Sequence, residues 1–126
     1  MDEIKKIVDE LGIAALEADT KIAGIAVVSD SGNLIFQTEN WDLSNQTNFI
    51  FNVINGERSF VFNNVEFTIV ETSTTGFIGT NDSGMGHVIF TPFQGGVLVA
   101  YAMSQADPTK ALEFLNTSAV RLNGKI

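Results

Sequence analysis

His87 is the only histidine in the chain, and general acid or base work near neutral pH falls first to an imidazole. Its candidate carboxylate partners are Asp82, Glu71 and Asp30, and nothing in the spacing selects one of them. Without a placed partner the histidine reads as an ordinary residue opening a strand, because titrating groups are tuned for catalysis inside a pocket. Gly79, Gly84 and Gly86 precede it and could be taken for a phosphate cradle. A P-loop, however, runs Gly-x-x-x-x-Gly-Lys-Ser/Thr from a strand into a helix. Here Gly84 is followed by Met85, Gly86, His87 and another apolar run, so a turn whose glycines take positive φ accounts for them. The fifteen carboxylates form no dense calcium-type cluster, and one histidine with no cysteine is too little for a zinc site. The expectation is a protein that is not an enzyme and needs no metal or cofactor.

Composition narrows the class further. A chain of 126 residues, 44% apolar, fits one domain over residues 1–126. The absence of cysteine agrees with a reducing compartment. No apolar run approaches the roughly 18 residues of a membrane span, and no charged-then-apolar leader follows Met1, so a cytoplasmic protein is expected. The net charge is −8, and Lys5, Lys6, Lys21, Arg58, Lys110, Arg121 and Lys125 are scattered, which sets nucleic acid aside.

The elements that would position any site follow from periodicity. Ile4, Ile7, Val8 and Leu11 fall on one helical face and predict an opening helix over Asp2 to Glu17. The unbroken apolar run Ile22 to Val28, the turn residues Asp30-Ser31-Gly32-Asn33 and the run Leu34 to Gln37 predict a hairpin whose first strand is covered on both faces. Asp42 or Ser44 can cap a short second helix carrying Phe49, Ile50, Val53 and Ile54, with Trp41 as a packing anchor before it and Asn55-Gly56 as its stop. Ser59 to Phe62, an Asn63-Asn64 turn, Val65 to Glu71, Gly76 to Thr80, His87 to Thr91 and Val97 to Met103 read as four or five strands of an antiparallel meander. Asp107, Pro108, the stripe Ala111, Leu112, Leu115, Ala119 and Leu122, and Gly124 mark a final helix over Pro108 to Leu122. The fold class is α+β: a central antiparallel sheet with the N- and C-terminal helices on one face and the short helix on the other. Within Val65 to Glu71, alternation sends Glu66, Thr68 and Val70 to the face opposite Val65, Phe67 and Ile69.

This order, together with "IAGIAVVSDSGNLIFQTENW", "NGERSFVFNNVEFTIVETS", "FIGTNDSGMGHVIF", "GVLVAYAM" and "DPTKALEFLNTSAVRL", resembles the profilins, a family of small actin-monomer-binding proteins, over nearly the whole chain. The resemblance implies regulation of actin polymerisation by binding the barbed-end face of a monomer through one edge of the meander and the start of the last helix. Carried over by position, the implied contacts are Phe60; Glu66, Thr68, Val70 and Glu71; Gly79 and Asn81; and Asp107, Lys110, Glu113 and Thr117. The implied state is a monomer associated with the cytoskeleton, with room for weak competition by phospholipids.

Two departures from the family pattern stand out. Glu66, Glu71, Gly79 and Asn81 occupy positions where many profilins carry basic residues, which implies a more basic partner surface or a smaller electrostatic share of the affinity. Polyproline ligands of the family stack on Trp and Tyr. Here the first helix has no aromatic residue, Ile35 stands at the strand position matching the tryptophan, and the last helix offers only Phe114, so polyproline binding is not expected. The chain resembles a divergent, archaeal profilin. The alternatives are a roadblock-type dimeric scaffold for small GTPases, which has three strands after the middle helix, and a sensor domain with a cavity among Phe36, Phe49, Phe51 and Phe90.

Overall fold

The computed structural model describes residues 2–18, 20–38, 47–62, 64–73 and 76–125. Helix α1 (Asp2–Glu17) buries Ile4, Ile7, Val8 and Leu11, the face that their spacing selects. Strands β1 (Ile22–Ser29) and β2 (Leu34–Gln37) form the first hairpin, closed by Gly32 at φ +89° and by the Ser29 amide donating to the Asn33 carbonyl at 2.9 Å. Helix α2 (Asn48–Ile54) buries Phe49, Ile50 and Val53, and Gly56 at φ +114° ends it. The meander then runs through β3 (Ser59–Phe62), β4 (Val65–Thr72), β5 (Phe77–Thr80), β6 (His87–Phe93) and β7 (Gly96–Ala102), and α3 (Pro108–Leu122) completes the described chain.

The seven strands make one antiparallel sheet in the order β2-β1-β7-β6-β5-β4-β3. Five strands follow α2, two more than a roadblock module has. Ile25, Val27, Ile78, Ile89, Leu98 and Ala100 meet α1 and α3 on one face. Ala26, Val28, Phe60, Phe67, Ile69, Val88 and Phe90 meet α2 on the other. Consecutive residues of β1 enter opposite cores, which is why its apolar run is unbroken.

Local chemistry fixes both ends of α3. The Asp107 carboxylate accepts from the amides of Thr109 at 3.1 Å and Lys110 at 3.3 Å, and Pro108 follows where a missing N–H costs nothing. Past the helix, the Asn123 Oδ1 accepts from the Gln94 amide at 2.7 Å, and the Gly124 amide donates to the Gln94 carbonyl at 2.9 Å. The start of α2 is different. Thr47 stands at its cap position without a side-chain bond to the helix, and its hydroxyl donates instead to the Gly32 carbonyl at 3.1 Å, tying α2 to the first hairpin. The caps expected at Asp42 or Ser44, the anchor Trp41 and the turn residue Asn63 lie outside the described residues.

Candidate functional site

Helices α1 and α3 pack over β1, β7, β6 and β5, and beyond them the outward side of β3 and β4 is exposed. Directly opposed residues of an antiparallel ladder share a face. The pairs Ser59 with Thr68, Val61 with Glu66, and Thr68 with Thr80 therefore lay out one strip across three strands. Along β4, Glu66, Thr68 and Val70 point outward and Phe67 and Ile69 inward, as the alternation requires. Strict alternation would then turn Glu71 inward. A bulge between Ile69 and Glu71 prevents this: Val70 is the extra residue, 61% exposed, and Glu71 pairs with Ile78 on the helix-bearing side. There the Glu71 carboxylate accepts from the Thr109 hydroxyl at 3.4 Å and ties β4 to the first turn of α3.

The strip thus unites Glu66, Thr68, Val70 and Glu71 beside the capped start of α3 at Asp107. Lys110, Glu113 and Thr117 are exposed on the side of α3 turned away from its buried stripe, with the Thr117 hydroxyl donating to the Glu113 carbonyl at 3.4 Å. Thr117 stands two turns beyond Lys110, about 10 Å along the axis, and so at the far edge of such a surface.

Two of the residues expected at this surface are elsewhere. Phe60 is buried on the opposite face, stacked on Phe49 and on Phe67 with ring centroids 5.0 and 5.2 Å apart. In a four-residue strand reading out-in-out-in, the outward apolar residue is its neighbour Val61, 59% exposed. Gly79 faces the same inner side as Phe60, where an added Cβ would lie 2.7 Å from the Phe60 ring. Its role is to make room for that ring. The alternation that sends Phe60 and Phe62 inward is enough to place Val61 outward, although the family resemblance did not point to it.

Asn81 lies at the margin of the strip with its side chain already engaged, its Nδ2 donating to the Glu66 carbonyl at 2.7 Å. His87 opens β6, as expected, and faces none of the three proposed carboxylates. Its Nδ1 shares a 2.8 Å hydrogen bond with the Thr80 hydroxyl, and Nε2 is buried without a protein partner. Gly84 at φ +84° and Gly86 at φ +105° bend the chain between β5 and β6. Among the described residues, no group of three His, Asp or Glu side chains is arranged to hold a metal ion.

The site can therefore offer a partner an apolar and acidic strand surface. Comparison with known proteins gives that surface a context. No family model matches the chain. Loki profilin-2 of Lokiarchaeum sp. (strain GC14_75) is 32% identical over 122 aligned positions, covering 88% of both chains. Loki profilin-1 of the same organism is 30% identical over 136 aligned positions, covering 99% of this chain and 98% of the relative. The chain belongs to the profilin family. The solved structure of a LokiProfilin1/rabbit actin complex superposes on this profilin with a TM-score of 0.88 at 29% identity, covering 100% of this chain and 98% of the other.

The remaining features of this profilin fit that frame. Ile35 and Phe114, the residues weighed above for polyproline stacking, are partly buried against the core beneath α1 and α3. Phe49 and Phe90 pack edge to face in the other core, at 6.0 Å and 73°, with Phe51 against the same cluster and Phe36 against the opposite one, so the four rings of the sensor alternative do not gather around one cavity. A concavity of about 670 Å³ lies between α1 and the start of β1, lined by Val8, Gly12, Ile13, Ile22 and Met103. Among the described residues, no helix is long and apolar enough to cross a membrane.

Proposed function

We propose that residues 1–126 act as one profilin-like domain that binds an actin monomer at its barbed-end face and so regulates polymerisation. The observation that carries this reading is the strip of exposed Val61, Glu66, Thr68 and Val70 with half-buried Glu71, which Thr109 joins to the start of α3. Exposed valines centred among carboxylates and hydroxyls have the composition of a protein interface rather than of a catalytic pocket. The complex of a similar profilin with rabbit actin supports the choice of partner.

In this reading Val61 and Val70 supply the apolar centre, Glu66 and Glu71 the charged rim, and Thr68, Lys110, Glu113 and Thr117 the flanking polar contacts. Asp107 and Asn81 act behind the surface, by capping α3 and by holding the neighbouring turn. Phe60 and Gly79 support the sheet from below. The protein works as a cytoplasmic monomer at the cytoskeleton, without enzymatic activity, and phospholipids compete with actin weakly at most. Polyproline is not a ligand: a decaproline titration is expected to leave the fluorescence of Trp41 unchanged, and saturable quenching would overturn that.

The central test is polymerisation of pyrene-labelled actin. The protein is expected to slow spontaneous assembly in proportion to its concentration; a curve unmoved at large molar excess removes the reading. Glu66→Lys tests the placement of the surface. Because a rim charge acts chiefly on encounter, the substitution should alter the association rate and its salt dependence by a few fold, about 1 kcal/mol or less in affinity. A rate that does not change at low ionic strength would move Glu66 out of the interface.

A further inference from the structure

We propose that the turn between β5 and β6, residues 81–86, is a preformed knob that docks on the actin monomer through Met85, with Asn81 and Tyr101 as its positioning residues. The proposal rests on the actin-binding reading above and extends its surface beyond the strands. A six-residue surface turn with two glycines would ordinarily sample many conformations. This one is held from two directions.

The Asn81 side chain accepts at Oδ1 from the amides of Ser83 at 2.8 Å and Met85 at 3.1 Å, which folds the turn onto itself. Its Nδ2 donates to the Glu66 carbonyl, which fastens the turn to β4. From β7, the Tyr101 hydroxyl donates to the Met85 carbonyl. Gly86 closes the gap between them: at φ +105°, an added Cβ would stand 2.6 Å from the Ala102 carbonyl oxygen and 2.7 Å from the Tyr101 hydroxyl. The amide and the carbonyl of Met85 are thus both fixed, while its side chain is 51% exposed.

The function of this arrangement follows from where ordering entropy falls. An exposed apolar side chain on a fixed backbone can be buried by a partner without the cost of ordering a loop. The unbranched thioether then adapts to the shape it meets. The Asn81–Glu66 bond makes the turn continuous with the strand that carries the strip proposed to face actin, which sets Met85 at the margin of that surface. Asp82 extends the acidic rim alongside it, and the complementary site is an apolar depression bordered by basic groups.

The test is a double-mutant cycle read by actin-monomer affinity, with thermal melts alongside. Met85→Ala should weaken binding about tenfold and leave the melting temperature unchanged, as expected for an exposed anchor. Asn81→Ala and Tyr101→Phe should each weaken it by about three- to tenfold in the wild-type background and add little to Met85→Ala, because they act through that residue. A merely structural loss would cost the same in both backgrounds. Asn81→Asp keeps the two acceptor bonds of Oδ1 and loses the donor to Glu66, so it should recover part of the affinity. Tyr101→Phe, which removes one hydroxyl, carries the cycle where Asn81→Ala lowers the folded fraction. A wild-type protein that does not bind actin removes the actin-binding reading and this inference with it. A wild type that binds, with Met85→Ala binding equally well, overturns the knob alone, and additive losses in the cycle remove the positioning role of Asn81 and Tyr101.

Discussion

Phe60 and Val61 are neighbours in the chain with opposite duties, and substitutions at the two should separate stability from binding. Phe60→Ala removes a ring stacked between Phe49 and Phe67 and is expected to destabilise the fold by about 3–5 kcal/mol, read from a lowered urea midpoint at unchanged slope. Val61→Ala should cost less than about 1 kcal/mol in the same titration while weakening actin binding, since its side chain already faces solvent. Gly79 provides a check on the packing beneath them. A methyl group there meets Phe60 at 2.7 Å, and stacking on both sides leaves the ring little room to give way. Gly79→Ala should therefore destabilise by about 1–3 kcal/mol, and a neutral result would show that the ring has space the geometry denies it.

At the scale of elements, α3 is where capping, helix pairing and the candidate surface meet. Asp107→Ala removes the acceptor of two amide donors and should cost about 1 kcal/mol, with faster amide exchange in the first turn, where Thr109 reaches Glu71. The pairing of α3 and the chain after it with α1 is partly ionic, through Arg121 with Glu10 at 2.8 Å and Lys125 with Glu3 at 2.9 Å. The Lys125 ammonium, first by its hydrogen bond and then by its charge, holds the Glu3 carboxyl below the usual carboxylate range. A depressed carboxyl contributes stability that is present above its unfolded-state value and is lost as pH falls through the folded-state value. Because both partners are exposed, the contribution is small and screened, so Lys125→Ala should move the acid limb of the stability curve slightly at low salt and not at high salt. A shift on the alkaline limb instead would assign the effect to another group.

For the whole molecule, the sheet ends in two short strands, β2 and β3, of four residues each. Short edges offer little ladder for a second copy, and a net charge of −8 adds mutual repulsion. Light scattering is expected to give the mass of one chain at all accessible concentrations, and a concentration-independent dimer would revive the scaffold alternative. The charge of the strip bears on the encounter with actin as well: an acidic surface meeting a basic one should associate faster as ionic strength falls, and a rate independent of salt would give electrostatics the smaller share.

Much of this architecture was written in local chemistry. The stripes of α1 and α3, the turn at Gly32, the stop at Gly56 and the Asp107-Pro108 start each depend on residues a few positions apart, so periodicity and capping rules reach them. The alternation in β4 likewise sends Glu66, Thr68 and Val70 outward without reference to any other strand. What lay beyond the sequence was every relation between distant segments. The bulge that brings Glu71 out beside Val70 exists only against β5, and the stacking of Phe60 between Phe49 and Phe67 needs α2 and β4 set beside β3. The hold on Met85 joins Asn81, Glu66 and Tyr101 from three strands or their margins. Side chains on one face are chosen by spacing along the chain, whereas the pieces of a binding surface are chosen by which strands the sheet sets side by side.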